Sequence, residues 1–239
     1  MIFYRPVPTI NAMTFDLDDT LYDNMPYIYQ AEQALTDYIA EHYPAAAHLS
    51  KHDWMGYKQQ ALFDEPSIQY DMGMLRLATL RLGFAASGYI GEELEAAALA
   101  CFTYFYQQRS NFTVAPEYCE VLDQLAAAMP LVAITNGNVD VNAIGLGQYF
   151  THVYHANIDN RAKPHADMFV KAQRALDLPT QQILHVGDNL YNDVLGAYQN
   201  GYKSAWYAAD RPMLIRQEPT RCLPDVQLSH FADLLHWVK

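Results

Sequence analysis

Three short apolar runs, each ending abruptly in polar residues, constrain this chain more than any other feature. Ala12-Met13-Thr14-Phe15 runs into Asp16 and Asp18, Leu131-Val132-Ala133-Ile134 into Thr135-Asn136-Gly137, and Ile183-Leu184-His185-Val186 into Gly187-Asp188-Asn189. After Val114 such runs alternate with helix-patterned segments over 116–129, 139–146, 166–176 and 190–199. Further strands are expected at 152–155 and 203–206. Continuous apolar strands separated by helices indicate a parallel sheet covered on both faces. The expected fold class is therefore α/β.

Between the first strand and this alternating region, the texture is helical throughout. Helices are expected over 26–43, 51–63, 67–82 (stopping at Gly83) and 92–109. The first puts Ile28, Ala31, Leu35, Tyr38 and Ile39 on one face, with Asn24 available as a cap and Pro26 in the first turn. The expected organisation is a helical domain over 22–111, inserted into an α/β core made of 1–21 and 112–239. This helical stretch is rich in aromatic residues, among them Tyr27, Tyr29, Tyr70, Phe102, Tyr104, Phe105 and Tyr106. Such rings can stack on a pyrimidine or flavin ring, but their helical spacing is also that of ordinary core. The tail from Asp210 carries little readable pattern.

Composition narrows the function. Of 239 residues, 51% are hydrophobic, enough for a sizeable core, and the formal net charge is −12. That balance disfavours a nucleic-acid backbone as partner. It also requires any anion site to be positive locally. Cys101, Cys119 and Cys222 form no CxxC pair, so neither a disulfide framework nor a zinc site is expected. No stretch reaches membrane-spanning length, and Met1–Pro8 lacks the long apolar core of a signal peptide. A cytoplasmic protein with no membrane partner is the expectation. Oligomeric state is not readable.

In open parallel sheets ligands bind beyond the carboxyl ends of the strands, so the polar residues there carry the functional reading. Asp16 and Asp18 are two apart in an extended segment and project to the same side. Two such carboxylates raise each other's pKa unless a cation lies between them. Asp16 is positioned as a nucleophile that forms an aspartyl-phosphate. Asp18 is the acid that protonates the leaving oxygen and later accepts a proton from water. The Thr135 hydroxyl and the turn at Asn136 can bind phosphoryl oxygens. Lys163 suits both a phosphate and an ionised Asp16. Asp188 adds an oxygen ligand for Mg²⁺, and Asp193 can orient that ligand set. Each element alone has an ordinary reading as a solvated turn, a surface Lys-Pro loop or a strand exit; their order along the chain is what points to phosphoryl transfer. Tyr22, Asp23, Asn24 and Asn138 are candidates for substrate contact. The nine histidines form no metal set. His185 reads as a core residue, and Arg109, Arg161 and His165 as solvated surface.

The set Asp16-Leu17-Asp18-Asp19-Thr20, Thr135-Asn136, Lys163 and Gly187-Asp188 through Asp193 resembles the motifs of the haloacid dehalogenase superfamily. The resemblance implies a Rossmann-like core with an inserted helical cap that gates the site. It also implies Mg²⁺ held by the Asp16 side chain, the Asp18 main-chain oxygen and Asp188. An aspartate at 18 favours a phosphatase or phosphomutase over a dehalogenase, which lacks that acid. Within the family, Thr14–Asn24, Leu131–Asn138, Ile183–Asp188 and the opening Phe3-Tyr4-Arg5-Pro6 are similar to bacterial phosphatases associated with FMN and 5-amino-6-(5-phospho-D-ribitylamino)uracil. Asn189 departs from that pattern, where another aspartate is expected. The partner implied is a small phosphorylated metabolite. A pyrimidine 5'-nucleotidase, a sugar-phosphate phosphatase and a catalytically inactive ligand-binding protein of the same fold are the alternatives.

Overall fold

The computed structural model describes residues 1–219 and 222–238. Seven strands form one sheet: β1 (Ile2–Phe3), β2 (Ala12–Phe15), β3 (Leu131–Thr135), β4 (His152–His155), β5 (Ile183–Gly187), β6 (Lys203–Trp206) and β7 (Val226–Gln227). Their order is β1-β7-β6-β5-β2-β3-β4. Among the described strands only the β1–β7 pair is antiparallel. β2, β3 and β5 are buried along their whole length, which is why their sequences are continuous apolar runs rather than alternating ones. Register then places the site. Phe15 lies beside Val186 on one side and Ala133 on the other. The chain beyond β2, β3 and β5 therefore leaves the sheet at one edge.

The chain divides into two compact units. The first holds residues 1–24, 113–137 and 141–239, including the sheet; the second holds residues 25–112 with 138–140. In the second unit α1 (Met25–His42), α2 (Lys51–Asp64), α3 (Met72–Ala86) and α4 (Gly91–Arg109) pack around Ala31, Leu35, Ile39, Leu80, Phe84, Ala98, Cys101 and Phe105. Arg76 ties α3 to α1 through Glu32 at 2.6 Å, and its guanidinium lies 3.4 Å from the centre of the Phe105 ring. Most of the aromatic residues here are structural: Tyr38 stacks on Tyr104 at 4.2 Å and Tyr27 on Phe112 at 3.7 Å, while Tyr29 is exposed. In the first unit α5 (Pro116–Ala128), α6 (Asp167–Leu176) and α7 (Gly196–Gln199) accompany the sheet. No disulfide joins the described cysteines. No helix among the described residues is long and apolar enough to cross a membrane.

Several local expectations are corrected. The helix expected over 139–146 is a series of turns, because Gly145 sits at φ 82° and the N–H groups of Leu146 and Gly147 both return to the Val141 carbonyl. Its apolar residues Val139, Val141, Ile144 and Leu146 are buried all the same. The single helix expected over 67–82 is a 3₁₀ turn (Pro66–Tyr70) followed by α3, because Asp71 accepts the Met74 N–H and caps a new start. α3 then runs through Gly83 to Ala86. That glycine is a close-packing position, since a Cβ there would overlap the Trp54 ring. The segment 190–199 begins as a π-helical turn over Leu190–Leu195 and becomes α-helical only at Gly196. Asn24 does not cap α1: its Oδ1 accepts no hydrogen bond among the described residues. Arg109, expected on the surface, is 1% exposed in the last turn of α4, where the helix dipole favours a cation. β1 and β7 extend the sheet beyond the strands readable in the sequence.

Candidate active site

At the carboxyl edge of β2, β3 and β5 a cavity of about 170 Å³ is lined by Asp16, Asp18, Asp19, Thr135, Asn136, Gly137, Lys163, Asp188, Asn189 and Asn192. The structure thus brings together Asp16, Asp18, Thr135, Asn136, Lys163 and Asp188, which approach from four separate stretches of chain. Asp193 stands directly behind them, 1% exposed.

Lys163 is the hub. Its Nζ lies 2.8 Å from Asp16 Oδ1 and 2.7 Å from Asp193 Oδ1, with the side chain almost wholly buried. Burial alone would lower the Lys163 pKa, but the charges of Asp16 and Asp193 outweigh it and hold the ammonium above its ordinary value. Asp193 is engaged at both oxygens. Besides Lys163, its Oδ1 is 3.2 Å from His185 Nε2, and its Oδ2 accepts the Asn189 N–H at 2.9 Å. Burial works against its charge, yet Lys163 and His185 keep its carboxyl well below the usual range. Burial drives the His185 pKa downward, against the pull of Asp193. Its Nε2 faces Asp193 Oδ1 and its Nδ1 lies 2.8 Å from the Thr14 hydroxyl, so both ring nitrogens have a partner. His185 is therefore the satisfied core residue the sequence suggests. Gly187 makes the arrangement possible, because a Cβ there would overlap the Asp193 carboxylate.

Asn136 faces Lys163 rather than the cavity centre. Its Oδ1 accepts the Lys163 N–H at 2.7 Å and its Nδ2 donates to the Lys163 carbonyl at 3.1 Å. The Thr135 hydroxyl accepts the Gly137 N–H at 3.0 Å. Asp18 is fixed from two directions. Tyr22, 5% exposed, donates its hydroxyl to Asp18 Oδ1 at 2.6 Å, and Asp18 Oδ2 occupies the space that a side chain at Gly137 would fill. Asn189 accepts the Tyr191 and Asn192 N–H groups at 3.0 and 2.9 Å, so it caps the π-helical turn. Asparagine and aspartate cap equally well; this departure removes one negative charge and keeps the cap.

Tyr22, Asp23, Asn24 and Asn138 are not among the residues lining this cavity. Asp23 is exposed, Asn24 gives its N–H to Asp19 Oδ1 at 2.9 Å, and Asn138 groups with the helical unit. Three residues at the site escape sequence reasoning: Asp19, Asn192 and Arg211. Asp19 lies in the left-handed region at φ 61°, a strained conformation for a residue other than glycine. Arg211 Nη1 is 3.0 Å from Asp188 Oδ2.

The carboxylates outnumber the cations beside them. Burial, with Asp193 and Asp18 adding repulsion against the pull of Lys163, raises the Asp16 pKa to about 7. Burial together with Asp193 and Asp16 raises that of Asp188 to about 8, despite Arg211. Oxygens of Asp16, Asp188 and Asp193 lie within 4.8 Å of one another. Lys163 and Arg211 leave this set short of positive charge, so the all-oxygen donors suit a hard divalent cation. Asp193 already takes contacts from Lys163 and His185 on Oδ1 and from the Asn189 N–H on Oδ2, which leaves Asp16 and Asp188 as the less engaged carboxylates of the set.

The sequence profile of the haloacid dehalogenase-like hydrolases matches residues 10–201. The chain belongs to that family. Across its length this haloacid dehalogenase-like hydrolase is 38% identical to the 5-amino-6-(5-phospho-D-ribitylamino)uracil phosphatase YigB of Escherichia coli, over 98% of both chains. It is 26% identical to a phosphoglycolate phosphatase of Yersinia pseudotuberculosis, over 95% of this chain and 92% of the other. Among solved structures, a 2-haloacid dehalogenase of Pseudomonas syringae superposes with a TM-score of 0.88 at 31% identity, covering 96% of this chain and 98% of that one. The Rossmann-like α/β fold expected from the strand pattern is thereby established.

Proposed function

We propose that this phosphatase cleaves a small phosphomonoester through an aspartyl-phosphate on Asp16, and that its substrate is 5-amino-6-(5-phospho-D-ribitylamino)uracil or FMN. The contact of Lys163 with both Asp16 and Asp193 carries the chemical reading, and the similarity to the Escherichia coli enzyme supports the substrate. Asp16 attacks phosphorus as the ester P–O bond breaks, and Asp18 delivers a proton to the departing oxygen. Water then attacks the phosphoryl group on Asp16, giving its proton to Asp18 and freeing inorganic phosphate. Lys163 and the Thr135 hydroxyl face the phosphoryl oxygens in both steps; Asn136 holds Lys163 by its backbone. Mg²⁺ held by Asp16, the Asp18 main-chain oxygen and Asp188 would neutralise the anionic phosphoryl group. In this reading the helical domain over 22–111 is a cap that governs access by the rest of the substrate.

A dehalogenase reading is favoured by the Pseudomonas syringae structure. Asp18 argues against it. A halide leaves without a proton, whereas an alkoxide needs one, and this carboxylate is held firmly by Tyr22. Tyr22→Phe removes the hydroxyl that makes this hydrogen bond and keeps the ring. The expected result is about a tenfold fall in kcat on alkyl phosphates with KM little changed, and a smaller fall on p-nitrophenyl phosphate, whose leaving group needs little acid help. Equal losses on both substrates would remove Tyr22 from the acid's support.

The test of function is Mg²⁺-dependent phosphate release from the ribitylaminouracil phosphate, FMN, pyrimidine nucleotides and sugar phosphates, with 2-chloropropionate included for halide release. Preference for the first two supports the proposal. A different preferred phosphate rejects the substrate and keeps the reaction, whereas halide release without phosphate release rejects both.

A further inference from the structure

The contact between Arg211 and Asp188 has no counterpart in the reaction steps above. Arg211 lies in the irregular segment after β6 and reaches back 23 residues. Its Nη1 is 3.0 Å from Asp188 Oδ2, and its Nη2 donates to the Asp188 main-chain oxygen at 3.0 Å. The fork therefore grips a carboxylate and the backbone carbonyl of the same residue, which fixes the side-chain torsions of Asp188 against its own main chain. Trp206 Nε1 donates to that carbonyl at 2.6 Å. The guanidinium is in turn held by Glu218 Oε1, 2.9 Å from Nε, and by Asp210 Oδ1, 2.7 Å from Nη1. With all three of its nitrogens engaged, it can adopt few other poses.

We propose that Arg211 is a positioning residue for the divalent-cation site: by gripping Oδ2 and the main-chain oxygen of Asp188, it presents the other carboxylate oxygen to the cation. The inference rests on the metal reading of Asp16, Asp18 and Asp188 given above. A fixed cation near the site also repels a divalent ion, so replacing Arg211 with a neutral residue would mix lost geometry with relieved repulsion. Lysine separates the two. It keeps the charge but not the planar fork that holds two acceptors at once.

The experiment is isothermal titration of MgCl₂ alone into the metal-free full chain, for wild type, Arg211→Lys and Glu218→Ala, with a thermal melt of each before titration. Groups that orient metal ligands are typically worth ten- to a hundredfold in affinity. Arg211→Lys is expected to weaken Mg²⁺ binding about tenfold, and Glu218→Ala, which loosens the anchor without touching Asp188, to weaken it by less. An Arg211→Lys protein that melts lower yet binds Mg²⁺ as tightly as wild type overturns the proposal and leaves Arg211 as an anchor of the tail. Tighter binding also overturns it. Should Arg211→Lys not fold, Glu218→Ala decides by the same criterion. A wild type that takes up no Mg²⁺ overturns the metal reading itself. That result is distinct from a wild type and variants that bind equally.

Discussion

Asp16→Asn is expected to lower phosphate release at least about 10⁴-fold while making the metal-free protein more stable. The activity loss follows from removing the nucleophile itself, since an amide oxygen forms no acyl-phosphate and residual positioning by Lys163 and Asp18 cannot replace that step. The gain in stability follows from the surroundings of Asp16. Its carboxyl is buried, repelled by Asp193 and Asp18, and raised to about 7 despite Lys163, so at pH 8 its charge is held at a cost. Asparagine has nearly the same shape and carries no charge. Lys163 keeps Asp193 at 2.7 Å as its partner, so no buried cation is orphaned. Phosphate release and thermal melting at pH 8 in chelator-treated buffer check both halves. Activity above about 1% of wild type would remove Asp16 as nucleophile. An inactive protein that melts several degrees lower would mean that Asp16 supports the fold rather than the chemistry.

The parts of this site legible in sequence were those dictated by strand ends. A buried parallel strand must be apolar throughout, and the residue after it enters the ligand crevice. The three runs therefore announced Asp16, Thr135 and Asp188 without knowledge of strand order. Lys163 was legible only from its place in the order of the four elements, because nothing local marks a Lys-Pro loop as buried. Arg211 was not legible at all. It comes from a segment without periodicity, and its partner is chosen by the β5–β6 pairing that sets Gly187 beside Trp206. The turns over 139–146 differ from the expected helix for a related reason: the segment is rich in apolar residues that are buried in either conformation, while Gly145 at φ 82° determines the backbone. Tyr22 shows a third kind of limit. Sequence placed it next to the catalytic loop, but that its hydroxyl faces Asp18 rather than open space depends on how the chain turns at Asp19.

Lys163→Met should be the most damaging substitution for fold and function together. Methionine matches the length of the lysine stem, so packing is nearly preserved and the change is essentially the loss of one positive charge. Lys163 is 3% exposed and within 2.8 Å of two carboxylates. Removing one member of a buried ion pair costs about 3–5 kcal/mol, because the partner stays buried without compensation. In a chain of this size each kcal/mol corresponds to roughly 2–4 °C in Tm, so a drop of roughly 6–20 °C is expected in the absence of metal. The pH dependence identifies the cause. In wild type the Asp193 carboxyl is held below the ordinary carboxylate value; its contribution is present above pH ~4 and is lost as pH falls through the lower folded value. Without Lys163, burial and the facing Asp16 push Asp193 upward instead. Its folded pKa then exceeds the unfolded one, and the variant gains stability as acid neutralises the site. The Tm deficit should therefore be largest near pH 8 and shrink toward pH 5, with phosphate release abolished throughout. A deficit of constant size across that range would trace the damage to lost packing, and it would deny Lys163 the role of counter-ion on which the proposed chemistry depends.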